Sequence, residues 1–188
     1  MPLSAHTARR VAAALALACA AALSVTAASA AVNHHSHPRA TPACSVSRLQ
    51  VWIGLPGSGS AGATAYPLEF SNISGRACHL FGFPGVSAVG GNGHQLGSAA
   101  GRDPAFRPRL VLLGRGATAH ALLTITEAGN FPAGQCRMRT AVGLRVSPPG
   151  QRRSAFVPLT FPACSKKGPV YLHVRAIRGG VGIPGFSQ

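Results

Sequence analysis

The chain has 188 residues, with 18 Lys and Arg against 3 Asp and Glu and a formal charge of +15 at pH 7. So few carboxylates exclude the paired acids of ordinary glycosidase chemistry and the oxygen clusters that hold calcium or magnesium. The same imbalance creates a positive field that favours anionic partners: wall polymers, acidic polysaccharide, lipid headgroups or nucleic acid.

Residues 1–30 read as a secretory signal. Arg9 and Arg10 supply a positive start, Val11 to Ala28 an uncharged apolar run, and Ala28-Ser29-Ala30 a small-x-small cleavage site. Lipid attachment at Cys19 fits poorly, because the apolar run continues past it as Ala20-Ala21-Ala22-Leu23. Val11-Ala12-Ala13 lacks the bulky apolar residue expected after a twin-arginine pair. General secretion is therefore expected, with no transmembrane anchor after cleavage. It delivers a mature chain from Ala31 to Gln188, net charge +13, to a secreted or envelope-associated location where disulfides persist.

Residues 31–42 include Asn33-His34-His35-Ser36-His37-Pro38-Arg39 without apolar periodicity, and predict a flexible His-rich arm. His34, His35 and His37 are the candidate metal ligands. A free amine with histidine third chelates copper(II) or nickel(II) in a square plane, but only cleavage after Ala31 gives that spacing. A solvated arm is the preferred reading, and no cofactor or metal is expected.

From residue 43 to 178 short alternating segments predict strands. Leu49, Val51 and Ile53 alternate with Gln50 and Trp52, and Tyr66, Leu68 and Phe70 with Pro67 and Glu69. Cys78 to Val89, Leu110 to Leu113 and Ala117 to Thr126 are less regular. Then come Val142, Leu144 and Val146, next Val157, Leu159 and Phe161, and last Val170, Leu172, Val174 and Ala176. Gly-, Pro-, Asn- and Ser-rich separators intervene, Gly54 to Gly62 among them. The pattern predicts an all-β fold, an antiparallel immunoglobulin-like β-sandwich of seven to nine strands with two disulfides. Residues 179–188 are expected to trail as a loose tail.

Cys44, Cys78, Cys136 and Cys164 admit three pairings. Cys136 and Cys164 each lie fourteen residues from Gly150, inside the turn signal Ser147-Pro148-Pro149-Gly150-Gln151. A hairpin centred there sets them opposite each other, and elimination pairs Cys44 with Cys78. Free thiols and a four-cysteine zinc site are the rivals, the latter disfavoured because no CxxC spacing occurs.

Several segments carry a family resemblance. Leu68-Glu69-Phe70-Ser71-Asn72 runs into Cys78-His79-Leu80-Phe81-Gly82-Phe83-Pro84-Gly85-Val86. Leu112-Leu113-Gly114-Arg115-Gly116-Ala117-Thr118-Ala119 follows, then Cys136, Val146-Ser147-Pro148-Pro149-Gly150 and Cys164. In this order they resemble the domain of unknown function 4232 family, exported domains common in high-GC bacteria. The resemblance spans roughly Ala43 to Arg178 and implies an exported, disulfide-bonded β-sandwich without an established activity. Leu113-Gly114-Arg115-Gly116 departs from the family's more usual Pro-Gly at that turn.

No catalytic residues are assigned. Ser58 and Ser60 in Gly57-Ser58-Gly59-Ser60-Ala61-Gly62 lack GxSxG spacing and read as a turn. His79, His94, His120 and His173 read as surface residues, and Trp52 as ordinary packing. Arg137, Arg139 and Arg145 share odd parity, so a regular strand projects them to one face, with Arg152 and Arg153 just past the turn. These five form the candidate anion-binding set. Little aromatic interleaving accompanies the basic residues, so specific nucleic-acid recognition is not expected. The expected function is a non-catalytic exported binding or structural domain that docks anionic envelope material or an acidic protein. A partner-binding or inhibitor module and an unrecognised secreted enzyme are the alternatives.

Overall fold

The computed structural model describes residues 40–182. The signal segment and His34, His35 and His37 lie outside them. The strands in chain order are β1 Leu49–Ile53, β2 Ser58–Ser60, β3 Ala63–Asn72, β4 Cys78–Phe81, β5 Gly85–Gly90, β6 Gln95–Leu96 and β7 Gly101–Arg102. They continue as β8 Leu110–Leu113, β9 Thr118–Thr126, β10 Met138–Ser147, β11 Ala155–Cys164, β12 Leu172–Val174 and β13 Arg178–Gly179. The fold is all-β, and among the described residues helix is confined to the short turns Val46–Arg48, Ala128–Asn130 and Ala133–Cys136.

One sheet runs β1-β3-β9-β12-β7, with β2 added to β3 and β13 to β9. A second runs β11-β10-β5-β6, and β4 pairs with β8 apart from both. Pairing is antiparallel except between β12 and β7, which run parallel. The inner faces of all three share one buried cluster, so the architecture is a sandwich. Buried Leu68, Phe70, Leu123, Leu144, Val157 and Leu172 each contribute roughly 1.5–3 kcal/mol by leaving water.

The most regular strand is β9, where Ala119, Ala121, Leu123 and Ile125 are buried between half-exposed neighbours. Its partner β3 sets Phe70 opposite Ala119 and Leu68 opposite Ala121, so large side chains meet small ones and fill a layer of even thickness. The Gly54 to Gly62 separator, read from sequence as a turn, contains β2. The sequence presents Ser58 as loop-like, but its segment pairs along Ala63–Ala65 of β3.

Both disulfides bracket the domain. Cys136 joins Cys164 where β10 and β11 diverge, with Met138 opposite Cys164 and Val146 opposite Ala155 at the turn end. Cys44 joins Cys78, and Ala43 bridges to His79. The end of the predicted arm is thereby fixed, since His79 N–H donates to Pro42 O at 2.9 Å and His79 Nδ1 lies 2.7 Å from Thr41 O.

The expected loose tail is corrected at its start. Arg178 and Gly179 pair with His120 and Ala119, Gly180 N–H donates to Thr118 O at 2.9 Å, and Gly182 is buried. The outer face of β3 and β9 carries polar and apolar groups that this segment covers, a long-range docking without a periodic signature. Tyr171 is wholly buried, donating its hydroxyl to Leu96 O at 3.0 Å, and burial pushes its pKa up to about 12. Beside it Gly97 adopts φ +63°, and a Cβ there would meet the Cys164 carbonyl, so glycine is required.

Candidate anion-binding surface

The three carboxylates neutralise little of the positive charge. Glu69 is fully buried on β3 beneath Gly182. Asp103 pairs with Arg175 at 3.6 Å, the one ion pair among the described residues, and Arg175 also stacks over Phe106 with its guanidinium carbon 3.9 Å from the ring centre. Glu127 is exposed at the rim of a hollow of about 400 Å³ with Tyr66, Met138 and Phe161. Among the described residues, the remaining cations have no carboxylate partner, and most of them are exposed.

The five hairpin arginines do not form one face. Between Ala141 and Leu144, β10 uses three residue steps where β5 uses two and β11 four. This irregularity reverses the alternation, because Ala141 is buried before it and Leu144 and Val146 after it. Arg139 consequently lies in the row of Ala141 and opposite buried Ala163, whereas Arg145 points outward opposite exposed Phe156. Parity counting cannot register such a shift. It also misplaces Val142, which was expected inside and is 40% exposed.

Arg137 precedes the strand as the left-handed cap of the Ala133–Cys136 turn, at φ 49°. Arg152 and Arg153 follow the turn at the opposite end of the hairpin. The ten residues of β10 separate these ends by about 33 Å, at roughly 3.3 Å per residue. Arg145 lines a hollow of about 390 Å³ beside Gly91, Gly93, Ser154 and Phe156. Its Nη2 donates to Gly93 O at 2.9 Å, which ties the guanidinium to the β5–β6 turn. Gly143 lets the Phe156 ring lie across the strand, since a Cβ there would overlap it.

A third hollow, about 420 Å³, lies beside the Cys44–Cys78 disulfide and is lined by Ser45, Ser47, Arg48, Ser74 and Arg76 among others. Sequence reading grouped neither arginine with the candidate set, because Arg48 and Arg76 are 28 positions apart. Asn72 organises one wall. Its side chain is buried, and its Nδ2 is shared among the carbonyls of Arg76 (2.9 Å), Leu113 (3.0 Å) and Gly114 (3.1 Å). Asn72 Oδ1 accepts from Ser74 N–H at 3.0 Å and Ser74 Oγ at 2.7 Å. The Gly114–Gly116 turn closes with Ala117 N–H on Gly114 O at 3.1 Å and is pinned by Gly116 N–H on Asn72 O at 2.9 Å.

Glu69 is the other residue that sequence reading passed over. Gly182 N–H donates to its Oε1 at 2.8 Å, while the buried Oε2 has no partner among the described residues. Burial raises its pKa to about 7 against the lowering effect of the Gly182 hydrogen bond. The histidines are dispersed: His120 Nδ1 lies 2.9 Å from Gly180 O, and His94 and His173 are exposed. No group of three or more His, Cys, Asp or Glu side chains converges among the described residues. Trp52 is 37% exposed and donates to Ser71 Oγ at 3.2 Å.

No helix among the described residues is long and apolar enough to cross a membrane. No curated protein and no solved structure matches the chain. The family described as a domain of unknown function, DUF4232, matches residues 44–178, a span that opens at the first bridged cysteine and closes at β13. With its cysteine order, its hairpin and most of its length covered by that match, the chain belongs to the DUF4232 family.

Proposed function

We propose that this protein is an exported, non-catalytic domain that docks anionic cell-envelope material through its basic surface. The observation that carries the reading is the unneutralised charge: 18 Lys and Arg in the sequence, and a single ion pair among the described residues. Such a surface attracts polyanions through its summed field and does not need one geometric site. The scattered arginines suit this, since each guanidinium offers a fork of donors to phosphate or carboxylate. The signal-like residues 1–30 and two disulfides support export. Scarcity of carboxylates and the lack of a recognisable nucleophile motif in the sequence support a role without catalysis.

The deciding experiment is retention of the purified protein on isolated envelope material across a salt gradient, with acidic polysaccharide and DNA as comparison ligands. Envelope-preferring retention that falls with salt is expected, because screening removes the attraction between exposed charges. Equal retention on every polyanion, or none, would defeat the reading.

A protein-partner module is the second reading, and one observation favours it. Phe81, Leu110 and Leu112 are 57%, 61% and 64% exposed, and Phe81 sits directly opposite Leu110 on the outer face of β4 and β8. A partner held there would survive high salt, since apolar burial is not screened.

A further inference from the structure

We propose that the hollow between Ser45–Arg48 and Ser74–Arg76 is a site for a phosphate ester, with Arg48 and Arg76 taking the phosphate oxygens. The hollow measures about 420 Å³, within the range of small-molecule sites and large enough for a phosphate together with part of the group that carries it. It does not depend on polyanion docking, which needs only summed charge.

The frame of the hollow is tied on both sides. At one side the Cys44–Cys78 disulfide joins the two segments, reinforced by Cys44 N–H donating to His79 O at 2.9 Å. At the other, Ile73 N–H donates to Arg48 O at 3.0 Å. Asn72, buried between them, holds the Arg76 carbonyl and the Ser74 amide. The backbone that carries Arg48 and Arg76 is therefore fixed while both side chains remain exposed, so less ordering is needed on binding.

The donor inventory selects the ligand. Each guanidinium has five N–H donors and no acceptor. Ser74 spends its one hydroxyl proton within its own loop, on Asn72 Oδ1 at 2.7 Å or Arg76 O at 3.0 Å. Ser45 Oγ and Ser47 Oγ lie 3.0 Å apart, so one donates to the other and one hydroxyl proton is left over. No carboxylate lines the hollow among the described residues. The surplus is thus two cationic forks and a hydroxyl, which calls for a ligand rich in acceptor oxygens. A carboxylate offers two oxygens and fills one fork. A phosphate monoester offers three terminal oxygens and double charge, enough for both forks and the hydroxyl.

The test titrates the purified chain, disulfides intact, with inorganic phosphate and glycerol 3-phosphate, using acetate as the carboxylate comparator and backbone amide NMR shifts as the readout. Saturable shifts at Ser45, Ser47, Ser74 and Arg76 with both phosphates, and weaker binding of acetate, are expected. The R48A/R76A double variant should weaken phosphate binding by roughly a hundredfold, two charge-assisted contacts at about tenfold each. R152A/R153A removes the same charge at a site outside this hollow and should leave phosphate binding nearly unchanged. Equal weakening by the two double variants, or shifts spread over the surface without saturation, overturns the site. Polyanion retention measured on the same three proteins separates the two ideas. Retention that drops equally in both variants upholds charge docking whatever the phosphate titration gives, and its absence in the parent protein leaves the phosphate result to stand or fall alone.

Discussion

Glu69 is the residue at which the chain pays most visibly for its fold. Its carboxylate is buried beneath Gly182, which also approaches Pro67 and His120, and a single backbone N–H offsets part of the lost hydration. Its pKa near 7 lies above the 4.5 of a free carboxyl, so the native state binds more protons than the unfolded chain between those values. The stabilisation is complete below about pH 4.5 and is lost as pH rises through 7, by up to about 3 kcal/mol. Thermal melts from pH 4.5 to 8 should show this decline, and Glu69→Gln should flatten it while keeping an acceptor for Gly182. Parallel pH profiles for the two proteins would refute the assignment. Asn72 makes the opposite contribution, since its amide satisfies three carbonyls and two donors of the Ser74 loop. Asn72→Ala should cost about 2–3 kcal/mol, read as a lower urea midpoint with unchanged m-value, because buried acceptors are left without partners.

At the scale of elements, the β10–β11 hairpin was largely legible in the sequence. The Pro148-Pro149-Gly150 turn, the alternation of β11 and the position of Cys136 against Cys164 all follow from local chemistry and counting. The irregularity between Ala141 and Leu144 was not, because it answers to the neighbouring strands β5 and β11 and leaves no turn residue that marks it. For the same reason the arginine face predicted from parity dissolves. The Arg48–Arg76 hollow and the cover over Glu69 escaped too, both being assembled from segments far apart in the chain. The hairpin's staple yields its own prediction. Closing a loop of 28 residues removes chain entropy worth about 3–4 kcal/mol from the unfolded state. Cys136→Ala with Cys164→Ala should lower the denaturant midpoint accordingly, and a change below about 1 kcal/mol would mean that the unfolded chain is already constrained there.

The whole molecule is governed by its charge, and its geometry alters what a charge reversal should do. If the basic hairpin were one face, reversing Arg139 and Arg145 would remove a concentrated patch. The shift within β10 places these two on opposite sides of the sheet, so each variant carrying two reversed charges should reduce polyanion retention to a similar degree. R139E/R145E and K166E/K167E change the net charge identically, which makes them the direct comparison. Across a salt gradient the parent should elute at the highest ionic strength and the two variants should coincide below it, since a summed field depends on total charge more than on position. A much larger loss in R139E/R145E would instead mean that the partner wraps an edge of the sheet and contacts both sides. Coincident elution together with envelope preference would require the preference to arise elsewhere, and R48A/R76A, which alters the hollow beside the Cys44–Cys78 disulfide, tests whether it arises there.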